Sequence, residues 1–348
     1  MTKSRTVYVA VSALLSVLLI AFLLSRVKTA DIAQTLKKIY IPALLVYIGV
    51  SLLATWLRAW RYKWLLQPHS ISWPNMFLVT FIRNSFIDLL PARIGSLSYI
   101  YVLNKRLGFS FESAASTFVV SGVLDLLTLG PLVVLAVLLV GFGTAGISVP
   151  VWLALAAVYF LGFFVVLWKI VPIGRLAVGA YRALLTAIKA DRNEKAIRSV
   201  EALRATVVQL EAIRSRRIFV PMFFLSLAIR LGKYLSLFAL LFALLRSHGL
   251  GLPDLSFWKM ILGITGAEMT SLLPVKGLAG FGTWESAWVL AFRLMAYDTR
   301  LALLSGIGIH LITNLWEYGL GFLSLLILIV PYLKKSRADR RSSTAPGK

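Results

Sequence analysis

Long apolar runs, separated by short charged stretches, dominate the order of residues along the chain. Six of these runs have the length that a helix needs to cross a bilayer, which is about 20 apolar residues. They cover residues 7–25, 41–57, 111–140, 150–171, 218–245 and 300–332. The pattern predicts an all-α polytopic membrane protein with about six transmembrane helices, in which residues 1–348 form a single membrane domain.

Two further apolar segments are interrupted near their middle. Residues 73–105 contain Pro91, and residues 258–297 contain Pro274 together with the glycines at 266, 277, 280 and 282. Each half of such a segment has about 15 residues, which is too short to span a bilayer. Irregular backbone at membrane depth is tolerated where it is buried in protein or lines a cavity. We therefore predict two re-entrant helical hairpins.

The composition agrees with this interpretation. The chain is 59% hydrophobic and 15% charged, and its mean hydropathy is +0.83. Soluble domains are about half apolar and a quarter charged. The polar stretches are too short for a separate soluble catalytic domain of about 100–150 residues.

Positive charge is in large excess, with 37 Lys and Arg against 14 Asp and Glu and a formal net charge of +23. In a soluble protein this excess would suggest nucleic-acid binding, but the sequence contains no nucleic-acid-binding motif. In a membrane protein it is typical of cytoplasmic loops. If the N-terminus is inside, 24 cations fall on the cytoplasmic side and 8 on the other. The cytoplasmic group includes Arg58, Arg61 and Lys63, at the end of the second run.

The two ends of the chain fit the same orientation. The first run follows Lys3 and Arg5, as the apolar part of a signal peptide also would. No small-x-small cleavage site precedes Arg26, so we expect a retained helix that starts in the cytoplasm. The basic tail, 333–348, is expected on the cytoplasmic side as well.

Residues 173–217 form the one sizeable stretch between the runs. They contain ten Lys and Arg and four acids, and apolar residues recur at helical spacing in both halves. We predict a cytoplasmic amphipathic helical hairpin that turns near 191–193 and lies on the membrane surface. Its cations suit anionic lipid headgroups, and a gating or partner-binding role is the alternative.

A short motif recurs in the two interrupted segments. Leu-Leu-Pro occupies residues 89–91 and 272–274, and in both cases a cation follows two residues after the proline, at Arg93 and Lys276. The prolines are 183 residues apart, and this offset carries the second run into the fifth and the third mostly into the last. We predict two repeats, 41–140 and 218–332, of opposite membrane topology, an architecture typical of transporters.

Ionisable groups at membrane depth are functional candidates because their burial costs free energy. Five cations and five acids fall there, so complete internal pairing is the alternative to a functional role. The planar set of N–H donors on an arginine and the free backbone N–H groups at the start of a half-helix can both bind a phosphate group. The candidates for substrate binding are Arg83, Asn84, Pro91, Arg93, Arg230, Lys276, Gly280, Gly282 and Glu285.

A second set of polar residues is suited to a proton relay or to gating. On the last run, His310, Asn314 and Glu317 share one face of a helix. Interhelical hydrogen bonding is the alternative for these side chains. The set comprises Asp88, Asp125, Glu268, His310, Asn314 and Glu317.

Motifs for catalysis and cofactor binding are absent from the sequence. It has no cysteine, no phosphate-binding Gly-rich loop with Lys-Ser/Thr, no GxSxG and no Asp-rich metal motif. Its three histidines, His69, His248 and His310, are far apart along the chain. Gly280-Phe281-Gly282 is too short for a dinucleotide fingerprint and predicts a tight turn with close helix approach. We expect a protein that is not an enzyme and holds neither metal nor cofactor.

Several short motifs, in this order, resemble those of the lysylphosphatidylglycerol synthase transmembrane-region family, whose members are also called flippase-like proteins. They are Arg58-Ala-Trp-Arg61, Asn84 followed by Leu90-Pro-Ala-Arg-Ile-Gly95, Asp125-Leu-Leu, and Gly280-Phe-Gly-Thr-Trp-Glu285. The resemblance covers nearly the whole chain. It implies a prokaryotic inner-membrane protein that moves an anionic or aminoacylated phospholipid, or a polyprenyl- or other lipid-linked intermediate, between leaflets.

The chain departs from the family pattern at several positions. Where members read Glu and then Arg after the Pro-x-Arg-x-Gly motif, Ser96 and Tyr99 stand here. A Glu/Arg pair near Asp125 is replaced by Ser121 and Gly122. The aminoacyl-transferase domain of the bifunctional members is missing, so the resemblance implies no aminoacylation.

Three functions remain open at this point. The first is lipid translocation through a cavity between inverted repeats. The second is a non-transporting partner that binds lipid and regulates a separate glycosyltransferase or lipid-modifying enzyme. The third is transport of a small water-soluble anion, which would need a closed polar cavity instead of a laterally open, partly apolar groove.

Overall fold

The computed structural model of the chain is all-helical. It describes residues 29–68, 70–89, 97–141, 148–215, 219–270, 280–294 and 297–343. Within these ranges there are twelve α-helices and two short 3-10 helices, at Arg246–His248 and Leu252–Asp254. The α-helices are α1 (Thr29–Lys37), α2 (Ile41–Leu65), α3 (Trp73–Leu89), α4 (Ser98–Leu107), α5 (Phe111–Gly141), α6 (Val149–Trp168), α7 (Ile170–Ala187), α8 (Glu194–Ser215), α9 (Phe219–Leu245), α10 (Phe257–Met269), α11 (Thr283–Leu294) and α12 (Thr299–Ser343).

Five of the helices in the described ranges are long and apolar enough to cross a membrane. They are α2, α5, α7, α9 and α12. The predicted all-α membrane class is therefore confirmed. The first apolar run, 7–25, lies outside the described residues.

Helices α6 and α7 divide the chain differently from the sequence-based prediction. The fourth run was predicted to continue to residue 171, but α6 ends at Trp168 and α7 begins at Ile170. The predicted surface hairpin therefore starts three residues earlier than 173, and its turn lies between α7 and α8 as expected. Although α7 contains Arg175 and Arg182, its length and composition also allow it to cross a membrane.

The bounds of eight helices follow the 183-residue offset found in the sequence. Shifted by this offset, α2, α3, α4 and α5 fall on α9, α10, α11 and α12, and each start agrees to within about five residues. The first short helix of each set packs against the second long helix of the other set. Helix α3 contacts α12, and α10 contacts α5. The opposite membrane orientation of the two sets stays a prediction, as does the re-entrance of the hairpins.

Close helix approach holds the two sets together. Helices α2 and α9 make an extensive contact, and a Cβ built on Gly232 would lie 3.2 Å from the Cβ of Ala54. At Gly321 on α12, a Cβ would overlap the side chain of Ser85 on α3. Small residues at these crossings let the backbones approach, as is common between membrane helices.

Candidate functional site

An ion pair between a fully buried arginine and a partly exposed aspartate, whose side chain is 23% exposed, lies where α2, α5 and α9 meet. The Nη1 of Arg61 donates hydrogen bonds to Oδ1 of Asp125 at 2.7 Å and to Oγ of Ser226 at 2.9 Å. The side chain of Arg61 is 0% exposed. Arg61 is therefore not an exposed loop cation, while the membrane side assigned to it in the charge count stays a prediction. Helix α2 continues to Leu65, eight residues past the predicted end of the second run at 57, and carries Arg61 into the protein interior.

A second arginine approaches the same acid from α9. Arg230 donates from Nη2 to the backbone carbonyl of Asp125 at 2.8 Å. Arg230 and Ser226 are four residues apart on one helix and therefore share the face that meets α5. The sequence placed Arg230 and Asp125 in different candidate sets, and the structure brings them together.

Two further arginines share one neutral acceptor between α2 and α3. The Nη1 atoms of Arg58 and Arg83 both donate to Oδ1 of Asn84, at 2.9 and 3.3 Å. The guanidinium of Arg83 also lies 6.0 Å from the ring centroid of Tyr62. An amide oxygen can accept two hydrogen bonds but carries no formal charge. The side chain of Asn84 therefore holds the two cations close together without neutralising them.

These residues form what we call the arginine cluster. It consists of Arg58, Arg61, Arg83 and Arg230 with Asp125 and Asn84. The cluster thus contains four guanidinium groups and one carboxylate. Buried cations are costly at membrane depth unless an anion pairs with them, so the cluster is suited to an anionic ligand.

Several N–H groups of the cluster are buried and have no hydrogen-bond partner among the described residues. They are Nε of Arg58, Nε and Nη2 of Arg61, and Nε of Arg83. The nearby hydroxyls of Tyr99, Thr117 and Ser121 are also buried without a hydrogen-bond partner among the described residues. Buried polar atoms normally have a partner, which can be water or a ligand. The unused donors therefore mark a place for an oxygen-rich group.

Glu285 links two helices on the other side of the bundle. Its Oε1 lies 2.5 Å from Nδ1 of His310 on α12, and its Oε2 accepts a hydrogen bond of 2.8 Å from the backbone N–H of Gly282. Both side chains are almost fully buried, at 2% and 7% exposure. Gly280 and Gly282 have φ angles of +83° and +85°, so the predicted tight turn is present.

The turn also encloses the imidazole of His310. Its ring centroid lies 4.5 Å from that of Phe281 and 5.1 Å from that of Trp284. A Cβ on Gly280 would be 3.5 Å from Cε1 of the same ring. This enclosure orients His310 toward Glu285, and the pair has the chemistry of a proton-binding site.

Other predicted residues occupy structural contacts. Lys233 on α9 forms an ion pair with Glu268 on α10, which is the internal pairing that the sequence allowed as an alternative. Asn314 is buried on α12, and its Nδ2 has no hydrogen-bond partner among the described residues. The backbone carbonyl of Glu317 accepts a hydrogen bond from Ser85.

Some predicted site residues cannot be placed. Pro91, Arg93 and Lys276 lie outside the described residues, as does the side chain of Asp88. The predicted convergence of Arg93 and Lys276 stays a prediction.

Arg58 and Arg61 are site residues that the apolar pattern does not predict. Because both follow the apolar run that ends at residue 57, they have the pattern of loop cations. The signal that could have found them is helical spacing. Arg58, Arg61 and Leu65 recur at three- and four-residue intervals, so a helix that continues past 57 places both arginines on one face.

Comparison with known proteins places the chain in a family. A search of curated proteins returns no match. The sequence model of the family described as lysylphosphatidylglycerol synthase TM region matches residues 9–321, which include every residue of the arginine cluster. With that match and several helices able to cross a membrane, the chain is a multi-pass membrane protein that belongs to the lysylphosphatidylglycerol synthase transmembrane-region family.

Proposed function

We propose that this protein binds an anionic lipid through its phosphate at the arginine cluster and moves it between membrane leaflets. The substrate is an anionic or aminoacylated phospholipid, or a polyprenyl- or other lipid-linked intermediate. The observation that carries the proposal is the cluster of four guanidiniums with a single carboxylate, in which Arg61 and Arg83 are buried and buried N–H donors are left unused. The protein acts without chemical catalysis and lies in the prokaryotic inner membrane with both termini in the cytoplasm.

The geometry of the guanidinium group supports phosphate as the ligand. Arginine presents a planar fork of donors that matches two phosphate oxygens at once. Arg58 and Arg83 converge on one amide oxygen, so a phosphate near Asn84 can accept from both. Asp125 engages Arg61 and leaves the outer pair, Arg58 and Arg83, with the larger unbalanced charge.

Aromatic residues beside the cluster favour a lipid over a soluble anion. Trp56 and Trp73 are exposed, and their rings stack with centroids 6.2 Å apart. The ammonium of Lys63 lies 5.5 Å from the Trp73 ring. Tryptophan and lysine are enriched at the level of lipid headgroups. Trp56 and Trp60 are about one turn apart on α2, and Arg58 lies between them. Arg58 is therefore at about the same height along α2 as the ring of Trp56.

The experiment is leaflet exchange in liposomes that contain the purified protein and a fluorescent phosphatidylglycerol. An added quencher or reductant destroys the fluorophore in the outer leaflet only. We expect the protein to make both leaflets accessible, and the Arg58→Gln, Arg83→Gln double variant to abolish most of this exchange. Arg198→Gln is the matched control, because Arg198 forms an exposed ion pair with Glu194 away from the cluster.

The alternatives give different results in the same liposomes. Lipid binding that depends on Arg58 and Arg83 without any exchange would favour the non-transporting lipid-binding partner of a separate enzyme. Uptake of a soluble phosphate or sulfate without lipid exchange would favour the small-anion transporter. Equal exchange by the double variant and the parent protein would contradict the proposed site.

A further inference from the structure

An apolar groove lies on the opposite face of α5 from Asp125. It is formed by α5, α6, α7 and α8 and has a volume of about 780 Å³. Its lining is almost entirely aliphatic and aromatic. Among the aliphatic lining residues, Thr206 is the one that carries a hydroxyl group. This volume lies in the range of pockets that hold small molecules.

The walls of the groove belong to two different kinds of segment. Val123, Leu126 and Leu127 come from α5, whereas Gly162 and Phe163 come from α6. The remaining wall comes from α7 and α8, the predicted amphipathic hairpin. The groove therefore lies in the corner between α5 and α6 on one side and the hairpin of α7 and α8 on the other.

At this corner α6 and α7 are separated by a single residue, Lys169. The ammonium of Lys169 lies 4.8 Å from the ring centroid of Trp168. Lys and Trp together are typical of the membrane–water interface. Placing Lys169 and Trp168 at this interface would put one end of the groove at headgroup level, with its apolar part along α5 and α6.

Two arginines adjoin groove-lining residues in the sequence of the hairpin. Arg175 and Arg204 directly follow the lining residues Gly174 and Leu203. Arg175 is engaged by both carboxylate oxygens of Glu211, at 2.7 and 2.8 Å, while Arg204 is exposed. Helices α7 and α8 can approach here because a Cβ on Gly174 would be 3.0 Å from Val207.

We infer that this groove is a site for one anionic phospholipid, with an acyl chain against α5 and α6 and the phosphate beside Lys169 and Arg204. The apolar lining fits the chain, and the charge at the corner is complementary to the headgroup. The site is separate from the arginine cluster and does not rest on the proposed translocation. A bound lipid would fill the wedge between the hairpin and the spans and so hold the hairpin in place.

Gly162 offers a direct way to fill the groove. A Cβ built on this residue meets no atom within 4 Å, and because Gly162 lines the groove we expect the ring of Gly162→Phe to enter it. Gly49→Phe is the matched control, because Gly49 on α2 also has nothing within 4 Å and does not line the groove. A second variant, Lys169→Gln with Arg204→Gln, removes the headgroup charges and leaves the lining unchanged.

The experiment places the full chain in nanodiscs with phosphatidylglycerol that carries a photoreactive diazirine on one acyl chain. Cross-linked peptides are mapped by mass spectrometry, and unlabelled phosphatidylglycerol or phosphatidylcholine competes. We expect cross-links within 119–127 and 158–163 that Gly162→Phe removes and Gly49→Phe retains. We also expect the charge variant to lower the preference for phosphatidylglycerol by up to about 30-fold, since each cation near the surface contributes about 1 kcal/mol.

Three results would overturn the inference. The first is cross-linking spread evenly over the apolar faces of the bundle. The second is cross-linking in the groove that Gly162→Phe does not reduce. The third is equal competition by phosphatidylglycerol and phosphatidylcholine, which would leave an apolar groove without headgroup selection. Leaflet exchange by the same variants, measured in liposomes, tests the proposed translocation and not this groove.

Discussion

At the scale of single residues, the molecule is defined by arginines that a water-soluble protein would leave on its surface. Arg61 is fully enclosed and has a carboxylate partner, whereas Arg58 and Arg83 share only the amide of Asn84. The arginines thus differ in charge balance and not in unused donors. The Arg61–Asp125 pair lies where three helices meet, Arg58 and Arg83 carry the unbalanced charge, and all three arginines keep buried N–H groups for a ligand.

The first prediction concerns the outer pair. Arg58→Ala or Arg83→Ala should weaken binding of a phosphate-bearing lipid by about 30-fold or more, because truncating one partner of a desolvated charge pair costs about 2–5 kcal/mol. Arg83→Lys should restore only part of the affinity, since an ammonium cannot form the bidentate fork. Binding is measured by lipid titration in nanodiscs, with thermal melting as a check of folding.

The control for this prediction is Arg198→Ala, which removes an exposed cation on α8. Its affinity should equal that of the parent protein. If folded Arg58→Ala and Arg83→Ala proteins bind anionic lipid as the control does, these arginines have structural roles only.

The second prediction concerns the inner pair. Asp125→Asn should lower the free energy of unfolding by about 3–5 kcal/mol, because Arg61 would be left buried without its counter-charge. Replacing both partners, as in Arg61→Met with Asp125→Leu, should recover much of the loss. Denaturation in detergent micelles measures both variants. Asp125→Asn with the stability of the parent would show that the pair does not hold α2 and α5 together.

At the scale of helices, close packing of α3 against α12 positions the arginine cluster. Ser85 on α3 donates to the backbone carbonyl of Glu317, and one turn further along α12 Gly321 lies directly over the same serine. Arg83 and Asn84 are the residues just before Ser85, so this crossing sets the place of the outer arginine pair. The geometry depends on glycine, because any side chain at 321 would meet Ser85.

The third prediction tests this crossing. Gly321→Ala should lower the free energy of unfolding by about 1–3 kcal/mol through overpacking. Gly319→Ala on the same helix should be neutral or slightly stabilising, because its Cβ would meet nothing within 4 Å. Thermal melting in detergent compares the two variants.

A double variant makes the test of this contact specific. Ser85→Gly should offset part of the loss in a Gly321→Ala background, because it removes the atoms that the new methyl group would overlap. The two changes should therefore be coupled in a double-mutant cycle. Additive effects would show that α3 and α12 are farther apart at this point.

At the scale of the whole molecule, two sets of helices related by the 183-residue offset surround the ionisable groups. The sets are not chemically equivalent. The offset carries Arg61 to Leu244 and Asp125 to Gly308, so the second set has no counterpart of the inner ion pair. The repeat thus supplies a framework of helices, while the charged site belongs mainly to the first set.

The fourth prediction tests the membrane orientation of the first hairpin. The parent has no cysteine, so single cysteines can be placed freely. If the 73–105 segment is re-entrant, Ser72→Cys and Ser110→Cys should both react with an impermeant maleimide from the cytoplasmic side. Ser148→Cys should react from the opposite side, because α5 lies between them. Labelling of Ser72→Cys and Ser110→Cys from opposite sides would mean that the segment crosses the membrane once.

The second hairpin has the complementary test. Ser247→Cys and Thr299→Cys flank the 258–297 segment and should both react from the side opposite to the cytoplasm. Reaction of either residue from the cytoplasmic side alone would contradict the inverted topology. The same vesicles serve for both hairpins, so the two results are directly comparable.

The sequence by itself determined the class of the molecule and the positions of most helices. Apolar runs report burial in lipid through composition alone, so the predicted starts at 41, 111, 218 and 300 agree with α2, α5, α9 and α12 to within one residue. Glycines report local backbone needs, so the turn at Gly280 and Gly282 was also predictable. The offset between repeats was visible because two sets of helices retain the same order and spacing.

Only the tertiary structure decided which charged groups meet. Arg61 and Asp125 are 64 residues apart, and Glu285 and His310 are 25 apart. Hydrophobic periodicity gives the buried face of one helix but not the partner of that face or the depth at which two helices cross. From the sequence alone, Arg61 was therefore predicted to be a loop cation and Asp125 a member of a proton relay or gate. The packing of α2, α5 and α9 made them a pair, because a buried charge is tolerated where another helix brings its counter-charge.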